Sequence, residues 1–172
     1  MYLITGDEHY FHQNKKNPNK GIIHFCNRPY THIDDMHHDL IQKHNQIATD
    51  KDITIHAGDT SFGTKAQTND IIRQLNGNHI FIAGCHDRWL RKSASARWIK
   101  KVDGVIVHVE HYPLRSWFAS YHGSINLHAH THGRLIDPYP RQKDIGVDTN
   151  NFYPYILHDL IPALLKQPNE NI

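Results

Sequence analysis

No stretch of this sequence stays apolar for long. The longest such runs, among them Val105–Val109 with His108 inside it, fall far short of the about 20 residues a bilayer-spanning helix needs. Cysteine is scarce: Cys26 and Cys85 allow at most one bridge, so a disulfide-built scaffold is excluded. A charge excess of either sign is missing too. The net charge is +2 and Lys and Arg are scattered, which argues against a large nucleic-acid-binding face. The opening MYLITGDEHYFH has no basic leader and turns acidic and polar almost at once, so the expected location is the cytoplasm.

What is present fits a soluble globular chain, with 38% apolar and 21% charged residues. A length of 172 residues suits one compact domain spanning 1–172. The unusual feature is 17 histidines, spread along the whole chain rather than gathered in a tag.

Tyr2–Thr5 reads as a short strand ending at Gly6. Thr31-His32-Ile33-Asp34 has the form of a capping box, and the apolar spacing after it predicts a helix to about Ala48. Strands are expected at Asp52–His56, Ile80–Ala83, Gly104–Val109 and Ser124–His128, with a last short one at Ile145–Val147. Helices are expected at Thr68–Leu75 and Leu157–Leu165, the latter with Pro162 near a turn. Strands and helices interleave in the first half and strands predominate in the second, which favours an α/β protein with layered sheets and helices outside.

Chemistry-bearing side chains follow the strands. Asp7 and His9 come after the first, Asp59 after the second and His86 after the third; His111, His130 and His132 follow the later ones. Ligand sites of open α/β sheets lie outside the carboxyl ends of strands, so one rim could gather all of them. Converging carboxylates and imidazoles are what a pair of divalent metals requires. Each signal alone has a plain alternative: a chance Asp-x-His, a turn at Gly-Asp, a structural His111 at a strand end, adventitious metal binding by HAHTHG.

Taken in order, GDEH, AGDT, GCHD, EHYP and HAHTHG resemble the calcineurin-like metallophosphoesterases, whose pattern is D-x-H, G-D, G-N-H-D/E, a His, then G-H-x-H. The resemblance runs from Asp7 to His132. FCNRPY at 25–30, HYPLRSW at 111–117 and GVDTNNFYPY at 146–155 also look like a small bacterial and phage-type branch of that superfamily. It implies a four-layer α/β sandwich of two mixed sheets flanked by helices, and a cofactor of two divalent ions drawn from Mn, Fe, Zn or Ni. Asp7, His9 and His132 would hold the first ion, Asp59 would bridge, and Cys85, His111 and His130 would complete the second. The implied reaction is hydrolysis of a phosphate ester by a metal-bridging hydroxide on a small phosphoester or nucleotide-type substrate, a diester in the leading reading and a monoester in the alternative. His86 would face the substrate, with Asp87 orienting it or raising its basicity. Arg115 would contact phosphate unless it is a solvated surface residue, and His12 and Asn151 would line the pocket. His37 and His38 read as helix-surface residues.

Two positions depart from the pattern. Gly77-Asn78-His79 matches it better than Gly84-Cys85-His86, but Asn78 precedes the third strand and Cys85 follows it, roughly 20 Å away at ~3.3 Å per extended residue. Only the second copy reaches the rim, and Gly77-Asn78 reads as a turn. Cys85 replaces the pattern's Asn, either as a true ligand, as a change that weakens the second metal and leaves a catalytically weak metal-binding scaffold, or as a small residue packed beside the site. Ala129 replaces Gly ahead of His130, where a methyl group could hinder a close backbone approach.

Overall fold

The computed structural model describes residues 1–168 apart from 15, 18, 91–93 and 136–138. Two four-stranded sheets are stacked with helices on the outside. In the first, β1 (Tyr2–Thr5), β2 (Ile53–His56) and β3 (Asn78–Phe81) run parallel, and β8 (Tyr155–Ile156) closes the edge antiparallel to β1. The second has the order β4 (Arg97–Val102), β5 (Val105–Glu110), β6 (Ile125–His128), β7 (Gln142–Asp144), with β4 antiparallel and the others parallel. Both sheets are therefore mixed.

Between the sheets Ile4, Ile55 and Ile82 meet Val107, Val109, Ile125 and Leu127, all fully buried, and α4 (Leu157–Leu165) adds Leu157, Leu160, Ile161 and Leu164 to the same cluster. Fully burying each such side chain contributes about 1.5–3 kcal/mol, so this layer is the main source of stability. A second cluster joins α1 (Ile22–Phe25), α2 (Ile33–Ile47) and α3 (Lys65–Ile72) through Ile22, Ile33, Met36, Leu40 and Ile71. The helix α2 connects β1 to β2, and α3 connects β2 to β3. These crossovers send the three parallel strands out at one end, where the polar loops collect.

Several sequence expectations shift. The helix α2 begins with His32 as an uncapped N-cap; the capping box of the fold belongs to α3, where Thr64 and Gln67 bond reciprocally and start the helix three residues early. Strand β3 starts at Asn78, two residues before the expected Ile80, and Gly77 at φ +96° makes the turn into it. The strand expected at 145–147 lies instead at 142–144, and β8 follows it at 155–156: Ile145 still donates its N–H to the His128 carbonyl, but Val147 opens a 3-10 turn. Pro162 lies inside α4 rather than at its end.

His37 is not a surface residue. It is buried, its Nε2 accepts the Phe11 N–H at 2.8 Å, and burial holds its pKa down at about 4. His38 is exposed, as expected. His79 is likewise depressed to about 4, by burial first and then by His56 and His44. An imidazole neutral in the native state but protonated below about 6.5 when unfolded means that the unfolded chain binds more protons between those values. Stability is then full above pH 6.5 and falls as the pH descends toward 4. Urea unfolding at pH 7.5 and pH 5 is expected to show the lower midpoint at pH 5, with a shallower dependence in His37→Gln; a flat midpoint for the wild type would contradict this.

Candidate metal centre

The strand ends are zipped together before any side chain is considered. Asp7 N–H bonds to the Gly58 carbonyl, His9 N–H to Asp59, Tyr10 N–H to Thr60, and Phe62 N–H back to Tyr10, at 2.8–3.0 Å. The loops after β1 and β2 thus continue the pairing of their strands past the sheet. Five candidate donors, Asp7, His9, Asp59, His130 and His132, have φ between 49° and 70°. Non-glycine residues rarely adopt this left-handed conformation, and it is retained where the surroundings enforce it, often at functional sites.

Two donor groups result. Donor atoms of Asp7, His9 and His132 lie within 4.8 Å of one another, and so do those of Asp59, Cys85, His111 and His130. Asp59 Oδ2 is the hinge between them. It is 3.8 Å from His9 Nε2, 3.5 Å from His111 Nε2, 3.3 Å from Cys85 Sγ and 3.9 Å from His86 Nε2. All seven residues expected to ligate metal therefore converge in the order the resemblance implies.

The chemistry of this cluster is unbalanced without a cation. Both carboxylate oxygens of Asp7 and Nε2 of His9 are buried with no hydrogen-bond partner among the described residues. Burial pushes the Asp7 carboxyl well above the usual range, and it pushes His9 well below its own. Charged and lone-pair groups left so are costly unless paired or bound to metal. A divalent ion would satisfy all three atoms at once.

Orientation of the rings is fixed from behind. His111 Nδ1 donates to the Ala57 carbonyl at 2.9 Å, leaving Nε2 as a lone pair facing Asp59 and Cys85. His132 Nδ1 donates to Asp148 Oδ2 at 2.7 Å; burial opposes charge there, yet the Asp148 bond wins and raises His132 to about 10. Asp148 is in turn held by Arg28 through Nε and Nη2 at 2.8 Å each, and the same guanidinium donates to the Asp7 and Glu8 carbonyls. A carboxylate behind a ligating histidine fixes its tautomer and strengthens its lone pair. Arg28 and Asp148 were not singled out in the sequence, although both lie in the blocks FCNRPY and GVDTNNFYPY.

Three expectations are corrected. Asp87 does not engage the His86 ring: its oxygens accept N–H groups from Asp59, Ser61 and Gly84 and the indole of Trp89, at 2.7–3.1 Å. It ties the loop after β3 to the loop after β2, which makes it a positioning residue. Arg115 is exposed, and its guanidinium lies over the Tyr139 ring, 6.0 Å from the centroid, rather than at the donors. Asn151 is exposed and its side chain makes no hydrogen bond among the described residues; Asp148 is what its block contributes. His12 does join the rim, with Nδ1 3.0 Å from His9 Nδ1 and its ring stacked on Phe62 at 3.8 Å. Burial lowers it to about 4, which leaves it neutral. His86 is half exposed and also stacks on Phe62, at 4.5 Å, while its backbone N–H is held by Asp59 Oδ1.

Both departures from the motif are accommodated. Ala129 is buried, and the room for its methyl comes from the other sheet, where a Cβ on Gly6 would stand only 2.8 Å from Ala129 Cβ. Gly84 cannot be anything else, since a Cβ there would lie 2.2 Å from both the nitrogen and Oδ1 of Asp59. Cys85 sits on this tight corner with its sulfur on the donor ring.

No family model matches the chain. An uncharacterized protein of Methanocaldococcus jannaschii is 30% identical over 175 residues, an alignment covering 97% of this chain and 92% of that protein. The chain belongs to that protein's family. Its fold is shared by a protein of unknown function from Aquifex aeolicus, whose crystal structure superposes with a TM-score of 0.70 at 15% identity over 95% of this chain and 98% of its own. Wild-type Vps29 of Entamoeba histolytica, solved in complex with Zn2+, overlaps at a TM-score of 0.48 and 15% identity over 84% of this chain and 72% of its own, too little to establish a common fold. Among the described residues no helix is long and apolar enough to cross a membrane.

Proposed function

We propose that this protein is a metal-dependent phosphoric ester hydrolase of the calcineurin-like type, acting on small phosphodiesters in preference to monoesters. The observation that carries the reading is the pair of donor groups joined at Asp59 Oδ2, with Asp7 and His9 buried and unpartnered beside it. Asp7, His9 and His132 would hold one divalent ion, Cys85, His111 and His130 the other, and Asp59 both. Such ions supply Lewis-acid charge for a phosphoryl group and lower the pKa of water.

The chain's own residues provide the rest. His86 Nε2, half exposed and 3.9 Å from Asp59 Oδ2, would give a proton to the departing oxygen. Phe62, stacked on both His86 and His12, keeps the two rings from turning away, and Asp87 fixes the corner from which His86 projects. Cys85 and His86 are exposed at the mouth of the cluster, and an open approach of this kind suits a diester with groups on both sides of its phosphorus.

The test is hydrolysis of matched aryl diesters and monoesters by protein loaded with Mn, Fe, Zn or Ni. The diester is expected to be the better substrate. His86→Ala is expected to lower kcat by about 10²–10⁴ with metal content unchanged. No turnover of either ester with any of these metals would sink the reading and leave a metal-binding scaffold.

A further inference from the structure

We propose that Cys85 is a thiolate ligand, and that it makes the second donor group a thiophilic site that takes zinc, cobalt(II) or iron(II) in preference to magnesium or manganese. The inference rests on the two-ion reading of the rim but not on which ester, if any, is hydrolysed.

Position comes first. Cys85 Sγ is 3.3 Å from Asp59 Oδ2 and 3.8 Å from His111 Nε2, and it lies within 4.8 Å of the His130 donor as well. Four donors at such spacings surround a point that each can reach with a small side-chain adjustment. The backbone carrying the sulfur is pinned on both sides: Gly84 N–H is bonded to Asp87 and His86 N–H to Asp59, both at 2.9 Å. A cysteine that merely filled space would be packed into the core, yet Cys85 is exposed at the mouth of the cluster. Neither neighbour obstructs it, since Ala129 ahead of His130 is taken up by the space over Gly6.

Chemistry then separates the two groups. Asp7, His9 and His132 offer one carboxylate and two imidazoles, a set of hard and borderline donors. Asp59, Cys85, His111 and His130 offer one carboxylate, two imidazoles and a sulfur, the tetrahedral type of set that soft metals favour. On binding, the ion forms a bond to sulfur and the thiol releases its proton to solvent. The set then carries two negative charges, counting the shared Asp59, against the two positive charges of the ion. An asparagine amide would leave one of them uncompensated. The two sites thus differ in kind, and the centre takes unlike ions when both hard and soft metals are on offer.

Cobalt(II) reports the sulfur directly. The full-length protein loaded with cobalt is expected to show a thiolate-to-cobalt charge-transfer absorption in the near ultraviolet. Cys85→Asn and Cys85→Ser are expected to abolish it, and their retained far-ultraviolet dichroism would show that they fold. Cys26→Ser is the necessary control, because Cys26 forms a separate donor group with His132 and Asp148; it is expected to keep the band. By equilibrium dialysis, zinc at the second site is expected to weaken at least tenfold in Cys85→Asn, roughly the minimum seen on removing even a supporting residue, while manganese binding holds or improves. Absence of the band in the wild type, its loss in Cys26→Ser but not in the Cys85 variants, or unchanged zinc binding would overturn the proposal. A wild type with the band and no esterase activity would uphold the thiolate site and remove the hydrolase reading; esterase activity without the band would do the reverse.

Discussion

Stripped of metal, Asp7→Asn is expected to melt at a higher temperature than the wild type. Asp7 is fully buried with both oxygens unpartnered, and after burial itself the neighbours Asp144, Asp59 and Glu8 push its pKa up further, against His132. For a carboxyl whose native pKa is raised, the penalty begins above the unfolded pKa and grows as the pH rises toward the native one, so the gain from the amide should increase from acid toward alkaline pH. Replacing the charge by an amide of the same shape removes a destabilising group and should gain about 1–3 kcal/mol, several degrees in Tm for a chain of this size. With metal the order reverses. An ion at 1,000 times its Kd stabilises the wild type by about 4 kcal/mol, roughly 10 °C, and the variant by far less. Thermal melts with chelator and with Zn or Mn read both signs. A lower Tm for chelated Asp7→Asn would show that something other than a cation satisfies Asp7.

Arg28→Met is expected to be the most damaging single change behind the site. Its guanidinium is buried and holds Asp148 bidentately along with two backbone carbonyls, those of Asp7 and Glu8. Removing it leaves a largely buried carboxylate with only His132 as a hydrogen-bond partner, and two carbonyls unpaired, among the described residues. Breaking a buried pair from one side costs about 3–5 kcal/mol, so Tm should fall by roughly 10 °C. Because Asp148 sets the His132 ring, affinity at the first metal site should drop about tenfold to a hundredfold. Arg28→Met with Asp148→Asn removes both charges, and the double variant should recover a good part of the stability though not the affinity. A loss below about 1 kcal/mol in Arg28→Met would show that the pair contributes little.

The candidate donors were legible because they stand at strand ends in a fixed order. What supports them was not, because it acts across long separations. Arg28 meets Asp148 across 120 positions, and no local pattern marks either. The sequence sets Asp87 beside its neighbour His86, whereas its partners in space are the amides of Asp59 and Ser61 on another loop. The strand β4 carries no sequence signal of its own, since RWIKKV is an exposed edge with no apolar alternation, its Lys and Arg guarding unpaired backbone. Asp103-Gly104, both at positive φ, was the hairpin signal that could have found it. The histidine excess divides as well: His37, His44, His56, His79, His108 and His128 are structural, buried or half-buried, and hydrogen-bonded within the fold.

Because Asp7, His9 and Tyr10 donate their amide protons to the neighbouring loop rather than to anything an ion would provide, the rim keeps its shape whether loaded or empty. Capture of an ion then orders almost nothing, and little conformational entropy opposes it. The backbone φ angles of His9 and Tyr10, read from scalar couplings, would accordingly be the same with and without zinc, the signature of a receptor cast before its guest arrives.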